Sequence, residues 1–251
     1  MMRTYRTLVR RELGTHFISW TGYVVIGAVL FLLGLCFVNL LTALNAQTTE
    51  DPIIELFYRT AYFWLIVLLA CPVITMRTFA LEKYSGTFET LMTAPVSDLE
   101  VVLAKFTGAM MVYMLLWLPL VAYVFLLRSV GHDPSALDWP SLGSMFLGIF
   151  LLGTLFMSLG CFASALTRSL MVAATVACGL GISIFMVSFL AYSYTDQPGW
   201  VATVFLQVCT LEHMKDFARG VVDTRAVVFY LTSSAFFLFL TLKVVESRRW
   251  T

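Results

Sequence analysis

Six long apolar runs leave this chain few ways to fold. A helix needs about 20 apolar residues to cross the hydrocarbon core of a bilayer. Gly22–Leu44, Phe57–Met76, Val101–Leu127, Leu142–Leu166, Leu170–Tyr194 and Ala226–Val245 each supply them. A seventh apolar stretch, Gly199–Cys209, is too short to span and is expected to dip into the membrane at most. Only 12% of the 251 residues are charged, against about 25% in a typical soluble domain. With no internal repeat, low-complexity tract or soluble module visible, residues 1–251 are expected to form one all-α integral membrane domain.

Orientation follows from the basic residues, which accumulate on the cytoplasmic side of short loops. Placing the N-terminus inside puts eleven Lys and Arg on the cytoplasmic side (Arg3, Arg6, Arg10, Arg11, Arg77, Lys83, Lys105, Arg168, Lys243, Arg248 and Arg249) against five outside. Acidic residues lean the other way, six inside and nine outside. Both termini are therefore expected in the cytoplasm, in a multi-pass protein of a bacterial inner membrane. The first run is longer than a signal-peptide core and no clear small-x-small cleavage site follows it, so it is expected to be retained.

No span carries a charge at its centre, which argues against a proton-coupled carrier. Lys105 lies one turn into the third span, from where its stem is expected to snorkel to the interface. Pro72 and Pro119 lie within spans and are expected to kink them. Small residues recur every four positions at Ala173, Ala177 and Gly181 and again at Ser144 and Gly148, a spacing that lets helices approach closely, within one chain or between two. Residues Tyr5–Phe17 interleave Leu8, Val9, Leu13 and Phe17 with Arg6, Arg10 and Arg11, the pattern of a basic helix at a membrane surface. Five cysteines (Cys36, Cys71, Cys161, Cys178 and Cys209) are scattered through apolar sequence without CxxC spacing and read as small packing residues.

The loop between the second and third runs is the chain's one long polar, amphipathic interruption. Ser85 or Gly86 can start a short helix in which Phe88, Leu91 and Met92 share a face at i, i+3, i+4, with Glu89 and Thr93 directed elsewhere. Pro95 stops it. Ser97-Asp-Leu-Glu100 then forms an S-x-x-E capping box at the head of the third span, flanked by Val96 and Val101 as a hydrophobic staple. A mere connection needs less, and the apolar face suggests either a helix on lipid headgroups or one that docks in a groove of a soluble partner.

The run Glu82-Lys-Tyr-Ser-Gly-Thr-Phe-Glu-Thr-Leu-Met-Thr-Ala-Pro-Val-Ser97 resembles the signature loop of ABC-2-type transporter permeases, and most of all those of the gliding-motility type. A second stretch, Glu212–Arg225, is similar to that family's segment before the last span. The resemblance implies a coupling helix between spans 2 and 3 that sits in a cleft of a cytoplasmic ABC ATPase, with Ser85, Gly86, Thr87, Phe88, Glu89, Leu91 and Met92 in that role. It further implies that ATP and Mg bind on that separate subunit and that this chain carries no cofactor of its own. No GxxxxGK[ST] phosphate loop occurs here, which agrees. By the same resemblance six spans amount to half a transporter, completed by a second copy or a related permease, with a membrane-anchored auxiliary protein as a candidate further partner.

In the outer segment, Glu212, Asp216, Arg219 and Asp223 fall three or four residues apart and are expected to pair along a helix surface. The sharper reading makes the segment an extracytoplasmic gate or a docking surface for a partner. An intramembrane enzyme fits poorly. Ser183 lies in a stretch resembling part of a G-x-S-x motif, but His16, His132 and His213 all lie outside the spans, so no base is available to activate it. There is no HExxH metal-ligand pair. The expected function is the permease subunit of an ATP-driven exporter, the alternative being a mechanotransmission or motility complex that strains a periplasmic partner without moving a solute.

Overall fold

The computed structural model describes residues 2–46, 53–93, 96–130, 139–193 and 207–247. Every regular element among them is a helix. In chain order these are α1 (Met2–Phe17), α2 (Trp20–Ala46), α3 (Ile53–Arg59), α4 (Ala61–Thr75), α5 (Ala80–Ser85), α6 (Thr87–Thr93), α7 (Asp98–Leu116), α8 (Leu118–Val130), α9 (Trp139–Leu166), α10 (Leu170–Ser193), α11 (Thr210–Ala218) and α12 (Thr224–Ser247).

Six helical stretches among the described residues are long and apolar enough to cross a membrane: Trp20–Ala43, Ala61–Ser85, Asp98–Leu127, Trp139–Leu166, Leu170–Leu190 and Thr224–Ser247. They coincide with the six apolar runs, and the chain is an all-α integral membrane protein. The expected second span begins too early, because Phe57 belongs to the separate helix α3. Thr60 adopts an extended backbone (φ −70°, ψ 136°) and breaks the path before α4. Most of the short run 199–209 lies outside the described residues.

The bundle is built around α9. In its most apolar 18-residue window 78% of residues are buried, against 17% in α10 and α12 and 22% in the first span. Small residues make this possible. A Cβ on Gly160 would stand 2.1 Å from the Thr75 hydroxyl, and one on Gly153 would stand 2.2 Å from the Tyr113 ring. Both glycines therefore let α4 and α7 seat directly on the α9 backbone, where dispersion contacts are densest.

The other small residues have the same use. Ala173, Ala177 and Gly181 are buried, and a Cβ on Gly181 would touch Phe156 of α9 at 3.0 Å. Ser144 donates to the Phe217 carbonyl at 2.6 Å, while the Phe217 ring covers Gly148. Both patterns serve contacts within the chain.

The two prolines differ. Pro119 removes the N–H that would bond the Leu115 carbonyl and disfavours helical geometry at Leu118. The third span breaks beside it, at Trp117, where a tight turn from Trp117 N–H to the Met114 carbonyl (3.1 Å) separates α7 from α8. Trp117 is fully buried among the rings of Phe57, Phe63 and Tyr113. By contrast, α4 runs on through Pro72, within one turn of its end, where little of the hydrogen-bond ladder is left to lose.

The N-terminal helix does not rest on lipid alone. It lies along the start of α7, burying Val9, Glu12 and His16 and leaving Arg6, Arg10 and Arg11 exposed. Gly108 is where the two helices touch most closely, a Cβ there standing 2.8 Å from the Glu12 side chain.

Candidate functional site

The segment after the second span is held to the bundle at several points. Residues Met76–Phe79 turn, and the freed N–H groups of Phe79 and Ala80 donate to Ser164 Oγ at 3.1 and 3.0 Å. Ser164 in turn donates to the Met76 carbonyl at 3.1 Å. One hydroxyl of α9 thus satisfies the orphaned groups at both sides of the turn. Lys83 Nζ donates to the Ala165 carbonyl at the C-terminus of α9, where the helix dipole favours a cation, and lies 5.2 Å from the centre of the Phe88 ring.

Gly86 ends α5 in the left-handed region (φ 74°) with open space around it. An L side chain would be strained there. The reversal starts a second short helix, α6, which is the helix expected from Ser85 or Gly86 and begins at Thr87; the helix before it, α5, was not expected. The capping box ahead of α7 forms as expected. Ser97 Oγ accepts from Glu100 N–H at 3.3 Å and Glu100 Oε2 accepts from Ser97 N–H at 3.4 Å.

The orientation of α6 corrects the sequence reading. Phe88 and Leu91, expected to dock outward, are 6% and 8% exposed. Phe88 joins Phe79, Val102, Cys161, Ala165 and Val245 in an apolar cluster that closes this end of the bundle. Phe88 and Leu91 are thus buried within the chain. Among the described side chains, those left to solvent are Tyr84, Ser85, Thr87, Glu89 and Thr90, and Gly86 is exposed between them. The Met92 side chain and residues 94–95 lie outside the described residues.

Beneath this segment sits a cluster of buried charges that the sequence did not suggest. Lys105 does not snorkel; it is 2% exposed. Its ammonium donates to Glu12 Oε1 at 2.7 Å and to the Thr78 carbonyl at 2.6 Å, and pairs with Glu82 Oε2 at 2.9 Å. The Phe79 ring centre lies 5.3 Å away. Glu82 also meets Arg11, half exposed, at 3.4 Å. One cation thus joins α1, the turn before α5, α5 itself and α7. Next to it, burial, then the charges of Arg77 and Lys105, push the His16 imidazole down to about 4, so it stays neutral. Arg77 is committed to the hydroxyls of Ser19 and Thr21.

The opposite end is more open. Glu212, Asp216, Arg219 and Asp223 do not form the expected chain of pairs. Arg219 reaches across to α3, where its Nε donates to Glu55 Oε2 at 2.9 Å and its Nη2 to Oε1 at 3.4 Å. Glu212 pairs with Lys215 at 3.6 Å. Asp216 is raised above the usual carboxylate range, chiefly by burial and then by Glu212 and Asp223. Asp223 lies beyond α11 and caps α12, its Oδ1 accepting from Arg225 N–H at 2.8 Å. A cleft of about 870 Å³ runs between α4 and α10 under α11, with Trp64, Leu68, Ile182 and Phe185 in its apolar wall and Glu55, Lys215 and Arg219 at its charged rim.

A family model described as "ABC-2 family transporter protein" matches residues 25–197, from early in α2 to beyond α10 and including the whole α5–α6 segment. The match covers well over half of the chain, and the chain belongs to that family. It is a multi-pass membrane protein and a permease subunit of an ABC transporter, and such permeases generally work with an ATPase subunit. No curated protein matches it.

Proposed function

We propose that this chain transmits ATP hydrolysis on a separate cytoplasmic ATPase to export across a bacterial inner membrane, with both termini in the cytoplasm. The ATPase would meet the exposed strip of Ser85, Gly86, Thr87, Glu89 and Thr90, with Phe88 and Leu91 holding the strip on the bundle rather than touching the partner. One observation carries the reading: at the end of the bundle that holds the basic α1, a two-helix segment is pinned by Ser164, Lys83 and Glu82 and backed by a packed apolar cluster, yet among its described side chains exposes Ser85, Thr87, Glu89 and Thr90 beside Tyr84. A segment held this firmly passes a push to the spans as rigid-body motion instead of absorbing it. ATP and Mg belong to the partner.

A second copy or a related permease would complete the path, covering the cleft between α4 and α10. The charged residues of α11 would stand at its outer mouth, as a gate or as the seat of an auxiliary protein. Within the family, the resemblance of the E-K-x-S-G-T-x-E-x-L run from Glu82 to Leu91 to that of the gliding-motility type supports placing the chain near that type.

Thr87→Arg with Glu89→Arg changes the exposed strip alone. The variant is expected to insert and fold normally but to lose co-purification with the ATPase. Undiminished co-purification overturns the proposed contact. Phe88→Asp would be a poor substitute, because it unpacks the apolar cluster and reports on folding.

A further inference from the structure

We propose that Lys105 is a positioning residue of the transport cycle, a latch that makes the N-terminal helix move with the α5–α6 segment. The inference rests on the coupling role of that segment and goes beyond it, because it predicts what the segment drags along. Thr78 and Glu82 come from the turn and helix just before α6, Glu12 from the middle of α1, and Lys105 from the first turns of α7. The ammonium donates hydrogen bonds to Glu12 Oε1 and the Thr78 carbonyl, while Glu82 Oε2, which has no hydrogen-bond partner, is held at 2.9 Å as an ion pair.

Apolar packing would have held these helices together at less cost in desolvation, as it does a few residues away around Phe79, Phe88 and Val102. What a buried ion pair adds is register: its partners cannot slide past one another without leaving a charge stranded in a dry site. The Gly108 contact removes slack between α1 and α7, since the Glu12 stem already lies against the α7 backbone. Arg11 adds a second, half-exposed tie from α1 to Glu82. A displacement of α5 therefore reaches α1 through Glu82 and Lys105. The basic face of α1, with Arg6 and Arg10 exposed, moves relative to the outer end of the bundle.

The test uses the complete permease–ATPase complex in lipid nanodiscs, with genetically encoded spin labels at three exposed sites: Arg10 on α1, Tyr84 on α5 and Val222 at the outer end. Distances are read without nucleotide and with ATP on a hydrolysis-deficient ATPase. Arg10–Tyr84 is expected to remain one narrow distribution in both states while Tyr84–Val222 and Arg10–Val222 shift together.

In the charge-free variant Lys105→Met, Glu12→Gln, Glu82→Gln, which strands no charge, Tyr84–Val222 should still shift. The Arg10–Val222 shift should be lost and Arg10–Tyr84 should broaden on ATP binding. Lys105→Arg should restore the narrow distribution. If Tyr84–Val222 shifts but Arg10–Tyr84 stays narrow in the charge-free variant, packing alone joins the helices and the latch is refuted. If Tyr84 never moves relative to Val222 in the native complex, the coupling reading fails and takes the latch with it.

Discussion

Each end of this bundle carries a long-range pairing of a basic residue with glutamate, and the two are built oppositely. At the end that holds the N-terminal helix, Lys105 is almost wholly buried, touches three oxygens from separate stretches of chain and has an aromatic ring against it. At the other end, Arg219 is half exposed and holds one carboxylate, Glu55, at the rim of an open cleft. Water reaches the Arg219 guanidinium but not the buried Glu55 carboxylate, whereas at the first end the cation itself is shielded. The first end is tied through one buried cation to several stretches of chain, and the second through a single half-exposed cation beside an open cleft. The proposed function, a push at one end and a gate at the other, calls for such an asymmetry.

The sharpest way to break the comparison is to remove one member of the buried cluster. Lys105→Met strands Glu12 and Glu82 and should cost about 3–5 kcal/mol in a denaturant titration of the solubilised protein. Adding Glu12→Gln and Glu82→Gln should recover much of that loss, since no lone charge is then left buried. If the single variant is as stable as the parent, the site is wetter than its geometry indicates and the two ends are alike.

The packing of α9 gives the next effect. Gly160→Val places a branched side chain where the Thr75 side chain already stands. Overpacking of this kind costs about 1–3 kcal/mol, measurable as a lower midpoint in the same titration. Gly143, with nothing within 4 Å of a Cβ, is the control and should accept alanine without loss.

Acidification reaches both ends, because burial lowers the His213 imidazole of α11 as well as that of His16. The folded-state pKa of His16 is depressed to about 4 from 6.5, chiefly by burial. Between those values the unfolded chain binds a proton that the folded chain does not, so stability falls as pH drops from 6.5 toward 4. By pH 5 the loss from His16 should be about 2 kcal/mol, and His16→Gln should make that part of the pH profile shallower, leaving the contribution of His213. A parent profile that is flat from pH 7 to 5 would place His16 in water.

What the sequence conveys about these two ends follows the range of the interactions. The six spans were legible because hydrophobic length is a local property, and the Ser97–Glu100 box because its partners are three residues apart. The presence of a structured segment between spans 2 and 3 was legible for the same reason. Which way it faces was not. Phe88, Leu91 and Met92 mark an apolar face equally well whether it meets a partner or the chain's own Val102 and Val245, and only the tertiary structure chooses. Lys105 and Glu12 are 93 positions apart and Arg219 and Glu55 are 164 apart, so no periodicity connects them. One signal was nevertheless present. A lysine one turn inside a span is costly unless paired, and Glu12 is the one acidic residue of the preceding basic helix.

The smallest expected effect belongs to the outer end. Glu212 and Lys215 sit three residues apart on α11, are each about one-third exposed, and approach no closer than 3.6 Å. Such a pair stabilises a helix by about 0.2–0.5 kcal/mol and is screened by salt. Glu212→Gln should therefore leave the denaturation midpoint nearly unchanged. The substitution also removes one of the negative charges that raise Asp216, so the Asp216 carboxyl should titrate at lower pH than in the parent, a shift readable by NMR of labelled aspartate. A large loss of stability from Glu212→Gln would mean that α11 is locked as firmly as α5, and the contrast between a fixed end and an opening end would collapse.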